Sequence, residues 1–221
     1  MDRARYEKGG DAGSKGVGFQ VDLLTMFLLN ALQRISNWRL STENKRARKF
    51  DDVVLEWPEG AILLQAKHKT KKKITMEELL STNSKNDDFS LPKYFLSYQE
   101  IKNEFKVKNV VICTNASVHD RVLEFLDSRR ISSESMLYCE DDDYSFYTFN
   151  MEILPRLKEN VEIYLEKNYR NRNIDQTVIN EENLKDFLKC LQVYVDYPSE
   201  NCLEKVKGNG LVPTQRRNIF N

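Results

Sequence analysis

Three kinds of side chain that could together hydrolyse a phosphodiester lie close together in this chain. An acidic pair, Asp51 and Asp52, directly precedes the apolar segment 53–57, and Gln65 and Lys67 end the apolar segment that follows. Carboxylate and amide oxygens are suitable ligands for a hard cation such as Mg²⁺. An ammonium group beside them can orient a water molecule and offset the charge of a phosphate. The spacing therefore predicts a metal-dependent phosphodiesterase site.

Two β-strands must position these groups. Residues 53–57 are β-branched and aromatic, residues 61–66 are apolar, and Pro58 and Gly60 between them are typical of a tight turn. This pattern predicts a hairpin. Because the start of one hairpin strand lies beside the end of the other, we expect the acidic pair to lie next to the Gln and the Lys.

Alternation along the strands limits which side chains can meet. Gln65 and Lys67 are two residues apart, so they share one face of the sheet. The same rule sends Asp51 and Asp52 to opposite faces without deciding which of them faces the Gln–Lys pair. A partly exposed salt bridge at a sheet edge is the alternative interpretation, and such pairs contribute little to stability.

The order of these residues resembles the PD-(D/E)XK nuclease signature, in the variant where Gln replaces the second acid. The resemblance covers about residues 9–165 and is to the N-terminal endonuclease domain of bacterial nucleotide-activated anti-phage effectors and to related domains of larger NTPase or repeat proteins. Besides the Asp…Gln-x-Lys core it depends on flanking segments, which are Gly16-Val17-Gly18-Phe19-Gln20, Glu43, Phe50-Asp51-Asp52-Val53-Val54, Phe89-Ser90-Leu91-Pro92-Lys93-Tyr94-Phe95 and Val110-Val111-Ile112-Cys113-Thr114-Asn115.

The resemblance implies an Mg²⁺-dependent endodeoxyribonuclease, with Mn²⁺ as a substitute metal. It favours Asp52 and Gln65 as metal ligands, with Glu43 as a further carboxylate ligand, because one Asp and one amide alone hold Mg²⁺ weakly. Lys67 would position or activate the water. Gln20 would point into the site, although a first-turn residue facing water is the simpler interpretation. No base-reading motif is visible, so we expect cleavage of double-stranded DNA with little sequence specificity.

Two segments rich in cations flank the candidate site. Residues 1–73 contain 15 Lys and Arg against 9 Asp and Glu, a net of +6, and the remainder carries −6. A positive site region suits a polyanionic substrate, although solvated loops are the alternative. The residues expected to contact a nucleic-acid backbone are Lys45, Arg46, Arg48, Lys49, Lys69, Lys71, Lys72 and Lys73. His68 alternates to the face opposite Lys67, which argues against a general base there.

The composition favours a protein that lies inside the cell. Its 221 residues are 40% hydrophobic, enough for a core, and the four cysteines are too widely spaced for a zinc site. We expect reduced thiols, no secretory signal and no membrane span, and therefore a cytoplasmic or nuclear protein. The sequence does not decide whether the protein forms a homodimer.

The order of helical and strand patterns predicts an α/β fold, a restriction-endonuclease-like mixed central sheet flanked by helices. We expect a flexible N-terminus at 1–15, the nuclease-like domain at 16–170, a helical extension at 171–207 and a linker or tail at 208–221. Residues 122–130 are predicted as a helix. The resemblance implies additional domains beyond residue 221.

A second function stays open beside catalysis. Because Gln65 is neutral, the chain could instead be a catalytically inactive nuclease-fold module that binds nucleic acid or a protein partner within a larger protein. RNA stays open as a substrate, although no aromatic-basic strand motif of an RNA-binding domain is present.

Overall fold

The hairpin predicted around Pro58 is present in the computed structural model, which describes residues 10–69, 72–85, 88–131, 135–138, 145–169 and 176–197. Strand β1 (Arg39–Ser41) pairs antiparallel with β2 (Val53–Trp57), which pairs antiparallel with β3 (Gly60–Lys67). Val53 lies opposite Leu64, so the start of β2 and the end of β3 are neighbours. The local sequence pattern therefore predicted this unit correctly.

These three strands form one half of a seven-stranded mixed sheet. Its further strands are β5 (Val107–Thr114), β7 (Leu126–Arg130), β8 (Ser145–Phe149) and β9 (Leu191–Tyr194), and the order across the sheet is β1-β2-β3-β5-β9-β8-β7. Strands β3, β5 and β9 are parallel, whereas β7 and β8 form an antiparallel hairpin. Strands β4 (Lys73–Ile74) and β6 (Ser117–Val118) form a separate two-stranded sheet.

Helices cover both faces of the central sheet. Helix α1 (Gly10–Arg34) packs on one face through Phe19, Leu23 and Phe27. The other face is covered by the core-forming helices α3 (Leu91–Ile101), α5 (Leu154–Tyr169) and α6 (Glu181–Cys190). The short helices α2 (Met76–Leu79) and α4 (Asp120–Leu123) lie in the connections. The predicted α/β class, a mixed sheet between layers of helices, is confirmed.

Three predicted boundaries differ from the structure. Residues 10–15 belong to α1 rather than to a flexible lead-in. The helix predicted over residues 122–130 is wrong beyond Leu123, because Leu126–Arg130 pairs as an edge strand with β8. Strand β9 lies between β5 and β8, so residues 181–197 belong to the central sheet and its core rather than to an extension beside them. Residues 1–9 and the predicted tail 208–221 lie outside the described residues.

Within the part of the chain that the structure describes, no helix has both the length and the apolar surface needed to cross a bilayer.

Candidate active site

The candidate site lies at the edge where the parallel strands β3 and β5 end. Lys67 is paired in register with Thr114, and Asn115 follows at once. The side chain of Asn115 accepts the N–H of Lys69 at 2.6 Å and donates to the carbonyl oxygen of Lys69 at 2.9 Å. These two hydrogen bonds hold the chain where it leaves β3. Open α/β sheets bind ligands at this edge, beyond the carboxyl ends of their parallel strands.

Asp52 is the buried carboxylate of the site. It is 7% exposed, whereas Asp51 is partly exposed. Oδ2 of Asp52 accepts the main-chain N–H of Ala66 at 2.7 Å and also the amide Nε2 of Gln65. Oδ1 accepts Nε2 of Gln20 at 2.9 Å. The structure thus decides what alternation left open, since Asp52, and not Asp51, contacts Gln65.

Burial raises the pKa of Asp52 above the ordinary value of 3.8. The hydrogen bond from Ala66 and the positive charge of Lys67 lower the pKa, whereas the negative charges of Asp51 and Glu43 raise it further. The charged form of Asp52 is therefore held in a place where it lacks full solvation. A cation bound beside this carboxylate would stabilise that charged form.

Gln20 reaches the site from a different layer of the fold. Phe19 and Leu23, both 1% exposed, fix the middle of α1 against the sheet. Gln20 follows Phe19 and is half-buried at the margin of this contact, where its amide meets Asp52. The alternative interpretation, in which the side chain of Gln20 only faces water, is therefore wrong.

Lys67 faces a carboxylate that the sequence did not predict. Its Nζ lies 3.8 Å from Oδ1 of Asp88, and Nζ of Lys69 hydrogen-bonds to Oδ2 of the same residue. The hydroxyl of the buried Tyr94 donates to the carbonyl oxygen of Asp88 at 2.7 Å and fixes its backbone. Asp88 comes from the polar segment before α3, and its position two residues before the helix cap Ser90 was the available signal.

Electrostatics at Asp88 oppose those at Asp52. Burial raises the pKa of Asp88, but the hydrogen bond from Lys69 and the positive charges of Lys69, Lys67 and Lys72 outweigh it, so the pKa lies below its usual value of 3.8. The two carboxylates therefore differ in role. Asp88 is the charged partner of the lysines, and Asp52 is a carboxylate surrounded by N–H donors.

Glu43 lies near the acidic pair without a contact to Asp52. It follows β1 with a φ of 49°, and the N–H of Asn44 donates to the carbonyl oxygen of Asp51 at 3.2 Å. Its side chain is exposed, and its charge contributes to the raised pKa of Asp52. Glu43 is thus a neighbouring carboxylate and stays a predicted ligand.

His68 lies on the other side of β3 from Lys67. Its ring packs edge-on against Phe19, with 5.9 Å between the ring centroids. This contact belongs to the α1 face of the sheet. The direction predicted by strand alternation is therefore the observed one.

The cations of residues 45–49 lie along the outside of α3. Nε of Arg46 is 3.1 Å from Oε2 of Glu104, and its guanidinium lies 4.9 Å from the centroid of the Phe105 ring. Nε of Arg48 is 2.7 Å from Oε2 of Glu100. Both arginines are half-exposed and paired with acids of α3 or the residues after it, whereas Lys45 and Lys49 are exposed to solvent.

The second cationic segment leaves the site at the end of β3. Lys69 is bound to Asp88, and the half-exposed Lys72 is bound to Glu78 of α2. Lys73 is exposed at the start of β4, and Lys71 lies outside the described residues. The structure therefore places Lys67 and Lys69 together at the site and directs Lys72 towards α2.

The donor atoms around Asp52 fit a hard cation that keeps part of its water shell. Among the described residues, no group of three or more His, Cys, Asp and Glu side chains could hold a metal. The oxygens available are those of Asp52, the amide oxygen of Gln65 after a half-turn of its amide, and the carbonyl oxygen of Ala66. That carbonyl already lies 3.4 Å from Nε2 of Gln65. Mg²⁺ is commonly held by one or two carboxylates with several waters, so the single carboxylate of Asp52 is the smallest set of this kind and implies weak binding.

No protein-family model, no curated protein and no solved structure matches the chain.

Proposed function

We propose that this protein is a metal-dependent endonuclease that hydrolyses phosphodiester bonds of DNA. The observation that supports this proposal best is the convergence of Asp52, Gln65 and Lys67 at one sheet edge. Asp52 and Gln65 are in direct contact there, and the charge of Lys67 is near enough to lower the pKa of Asp52. The three groups are those that such a reaction requires, and they come from two adjoining strands.

In this proposal each side chain has a separate task. Asp52 and Gln65, with the carbonyl of Ala66, would hold Mg²⁺ or Mn²⁺, which supplies Lewis-acid stabilisation of the phosphate. Lys67 would orient the attacking water and offset the negative charge that develops on the phosphate oxygens. For this it must exchange its partner Asp88 for the substrate. Gln20 would keep the carboxylate of Asp52 in place through its 2.9 Å hydrogen bond.

A second function, a catalytically inactive module that binds nucleic acid or a protein partner, is favoured by one observation. Both carboxylate oxygens of Asp52 already accept hydrogen bonds from protein N–H groups, and Lys67 already has an anionic partner. Such a site is satisfied without a metal. The two functions share the exposed cations of residues 45–49 and differ only in whether the Asp52 site binds a metal and cuts.

Cleavage of plasmid DNA with Mg²⁺, with Mn²⁺ and with EDTA tests the proposal. We expect metal-dependent nicking or degradation that Lys67→Ala abolishes. Lys106→Ala is the matched control, because Lys106 is an exposed lysine at the opposite end of the hairpin, 3.2 Å from the carbonyl oxygen of Pro58. Absence of cleavage with either metal, while the protein still retards DNA on a gel, would leave the binding module as the function.

A further inference from the structure

A concave site lies apart from the Asp52 site, between the loop that follows residues 45–47, the outer face of α3 and the end of α5. We name it the α3–α5 cleft. Its volume is about 310 Å³, within the range of sites that hold a small molecule. The side chains that define its chemistry are Arg48, Lys49, Lys93, Glu100, Tyr164 and Tyr169.

The fold fixes the walls of this cleft. Lys93 and Glu100 are seven residues apart on α3, so they lie on one face of the helix, whereas Phe95 on the opposite face is fully buried. The main-chain N–H of Lys49 donates to Oγ of Ser97 at 3.0 Å and ties the cationic loop to α3. Next to it Phe50 is buried against Tyr94, with 5.1 Å between ring centroids. The backbone that carries the cationic loop is therefore fixed against α3 on this side of the cleft.

The chemistry of the lining combines positive charge with aromatic rings. Arg48, Lys49 and Lys93 contribute three positive charges, and the one acid, Glu100, lies 2.7 Å from Arg48. The lining thus carries a net charge of +2. Tyr164 and Tyr169 lie on the opposite wall with their ring centroids 6.1 Å apart. A phosphate beside the cations and a flat ring against the tyrosines would satisfy both walls, and a nucleotide contains both groups.

The cleft is also close to the candidate active site. Lys49 precedes Asp52 by three residues, so their Cα atoms are separated by at most about 11 Å. One strand of nucleic acid advances about 3.4 Å per nucleotide in B-form geometry. A strand with a phosphate at Asp52 therefore reaches the cleft within a few nucleotides.

We propose that the α3–α5 cleft binds one nucleotide of the substrate strand, with its phosphate against Lys49 and Lys93 and its unpaired base against Tyr169. This inference rests on the proposed function for its substrate. It adds a preference, since a base inside a duplex is stacked on both faces and cannot reach a tyrosine. The protein should accordingly bind nucleic acid that has a single-stranded stretch beside the cleavage position.

The experiment is a fluorescence-anisotropy titration in EDTA, so that binding is measured without cleavage. The probes are a short labelled single-stranded oligonucleotide and a blunt duplex of the same sequence, with free dAMP as a competitor. Lys93→Gln and Tyr169→Leu should each weaken binding of the single strand about tenfold, the effect of losing one stacked base or one phosphate contact. Lys93→Arg and Tyr169→Phe retain the charge and the ring, and should bind within about twofold of wild type.

The binding results either support the nucleotide site in the α3–α5 cleft or overturn it. Single-strand binding that both disruptive variants weaken, with the blunt duplex bound less tightly, supports the cleft even if plasmid cleavage fails and the nuclease proposal falls. Wild-type cleavage together with unchanged binding by both variants overturns the cleft alone. Competition by dAMP as strong as that by the unlabelled oligonucleotide identifies a free nucleotide as the ligand and overturns the strand assignment. No binding of any probe by the wild type overturns it as well.

Discussion

Lys67 and Asp88 form the ion pair that links the end of β3 to the start of α3, with 3.8 Å between Nζ and Oδ1. Lys69 binds the other oxygen of the same carboxylate. Asp88 thus occupies both lysines that would face a phosphate in the proposed reaction. A phosphate group of the substrate could replace the carboxylate of Asp88 between these two ammonium groups.

Replacing Asp88 by Asn should therefore strengthen binding to DNA. The substitution preserves shape and frees two lysines, so we expect affinity to rise about threefold to tenfold and the slope of log K against log salt to steepen by about one to two. Titration of labelled DNA at several salt concentrations measures both quantities.

Asp127→Asn provides the matched control, because Asp127 pairs with Arg129 at 3.8 Å on the edge strand β7. It should change neither affinity nor slope. Weaker binding by Asp88→Asn would instead mean that Asp88 holds the lysines in the orientation that binding needs.

Asp52 should give the protein a pH dependence opposite to that of an ordinary ion-paired acid. Its folded-state pKa is raised, so folding favours the protonated form, and stability falls as the pH rises from 3.8 to the raised pKa. Asp52→Asn should remove this fall. Urea unfolding of both proteins across acidic pH measures it.

The pH dependence from Asp88 can be compared with that from Asp52, because the pKa of Asp88 is shifted in the opposite direction. Its pKa is lowered, so its contribution to stability is present above 3.8 and is lost as the pH falls through the lowered value. Asp88→Asn should remove a loss of stability on the acid side, and because Asp88 is partly exposed to solvent we expect this effect to be at most about 1 kcal/mol. An Asp52→Asn protein with the same pH profile as wild type would contradict the burial assigned to this carboxylate.

Gln65→Glu should make the metal-free protein less stable and its response to Mg²⁺ larger. A second carboxylate would lie against Asp52 in a buried place, which we expect to cost about 2 kcal/mol at neutral pH. Mg²⁺ at about 100 times its Kd should restore about 2.7 kcal/mol by linkage. Thermal unfolding with and without Mg²⁺ checks both effects.

Gln99→Glu is the control for a buried Gln that lies away from the site, since Gln99 is 8% exposed on α3. It should lose stability without recovery in Mg²⁺. If Mg²⁺ leaves Gln65→Glu as unstable as before, the Asp52 site does not hold a metal.

Ser90→Ala should destabilise the fold, because Ser90 caps helix α3. Ser90 is fully buried, its hydroxyl donates to the carbonyl oxygen of Ser81 at 2.7 Å, and its Oγ accepts the N–H of Lys93 as the helix cap. Loss of both should cost about 1–2 kcal/mol in urea unfolding. Ser128→Ala on the exposed face of β7 should cost less than about 0.5 kcal/mol. Equal effects of the two substitutions would contradict the capping role.

The hairpin and the location of Asp52, Gln65 and Lys67 could be predicted because they depend on local patterns. The turn at Pro58 and Gly60 fixes which residues of two short strands are neighbours. Alternation then fixes the shared face. No long-range information was needed for this part of the site.

Asp88 and the sheet position of β9 could not be predicted in the same way. Asp88 lies in a polar segment with no periodicity, and its role comes from lysines about 20 residues earlier in the chain. Leu126–Arg130 has little strand propensity and forms β7 because β8 offers it a partner, a case in which tertiary pairing overrides local preference. Gln20 depended on how α1 packs across the sheet, which its own sequence does not specify.

The position of β9 has a consequence for the order in which the chain can fold during synthesis. Strands β1, β2, β3 and β5 lie on one side of β9, and β8 and β7 lie on the other. Until residues 191–194 leave the ribosome, the two groups of strands have no common neighbour and each presents an open edge. Nascent chains that stop before residue 191 should therefore be sensitive to proteases and prone to edge-to-edge association. Completion of the sheet waits for four residues that the ribosome delivers last among the seven strands.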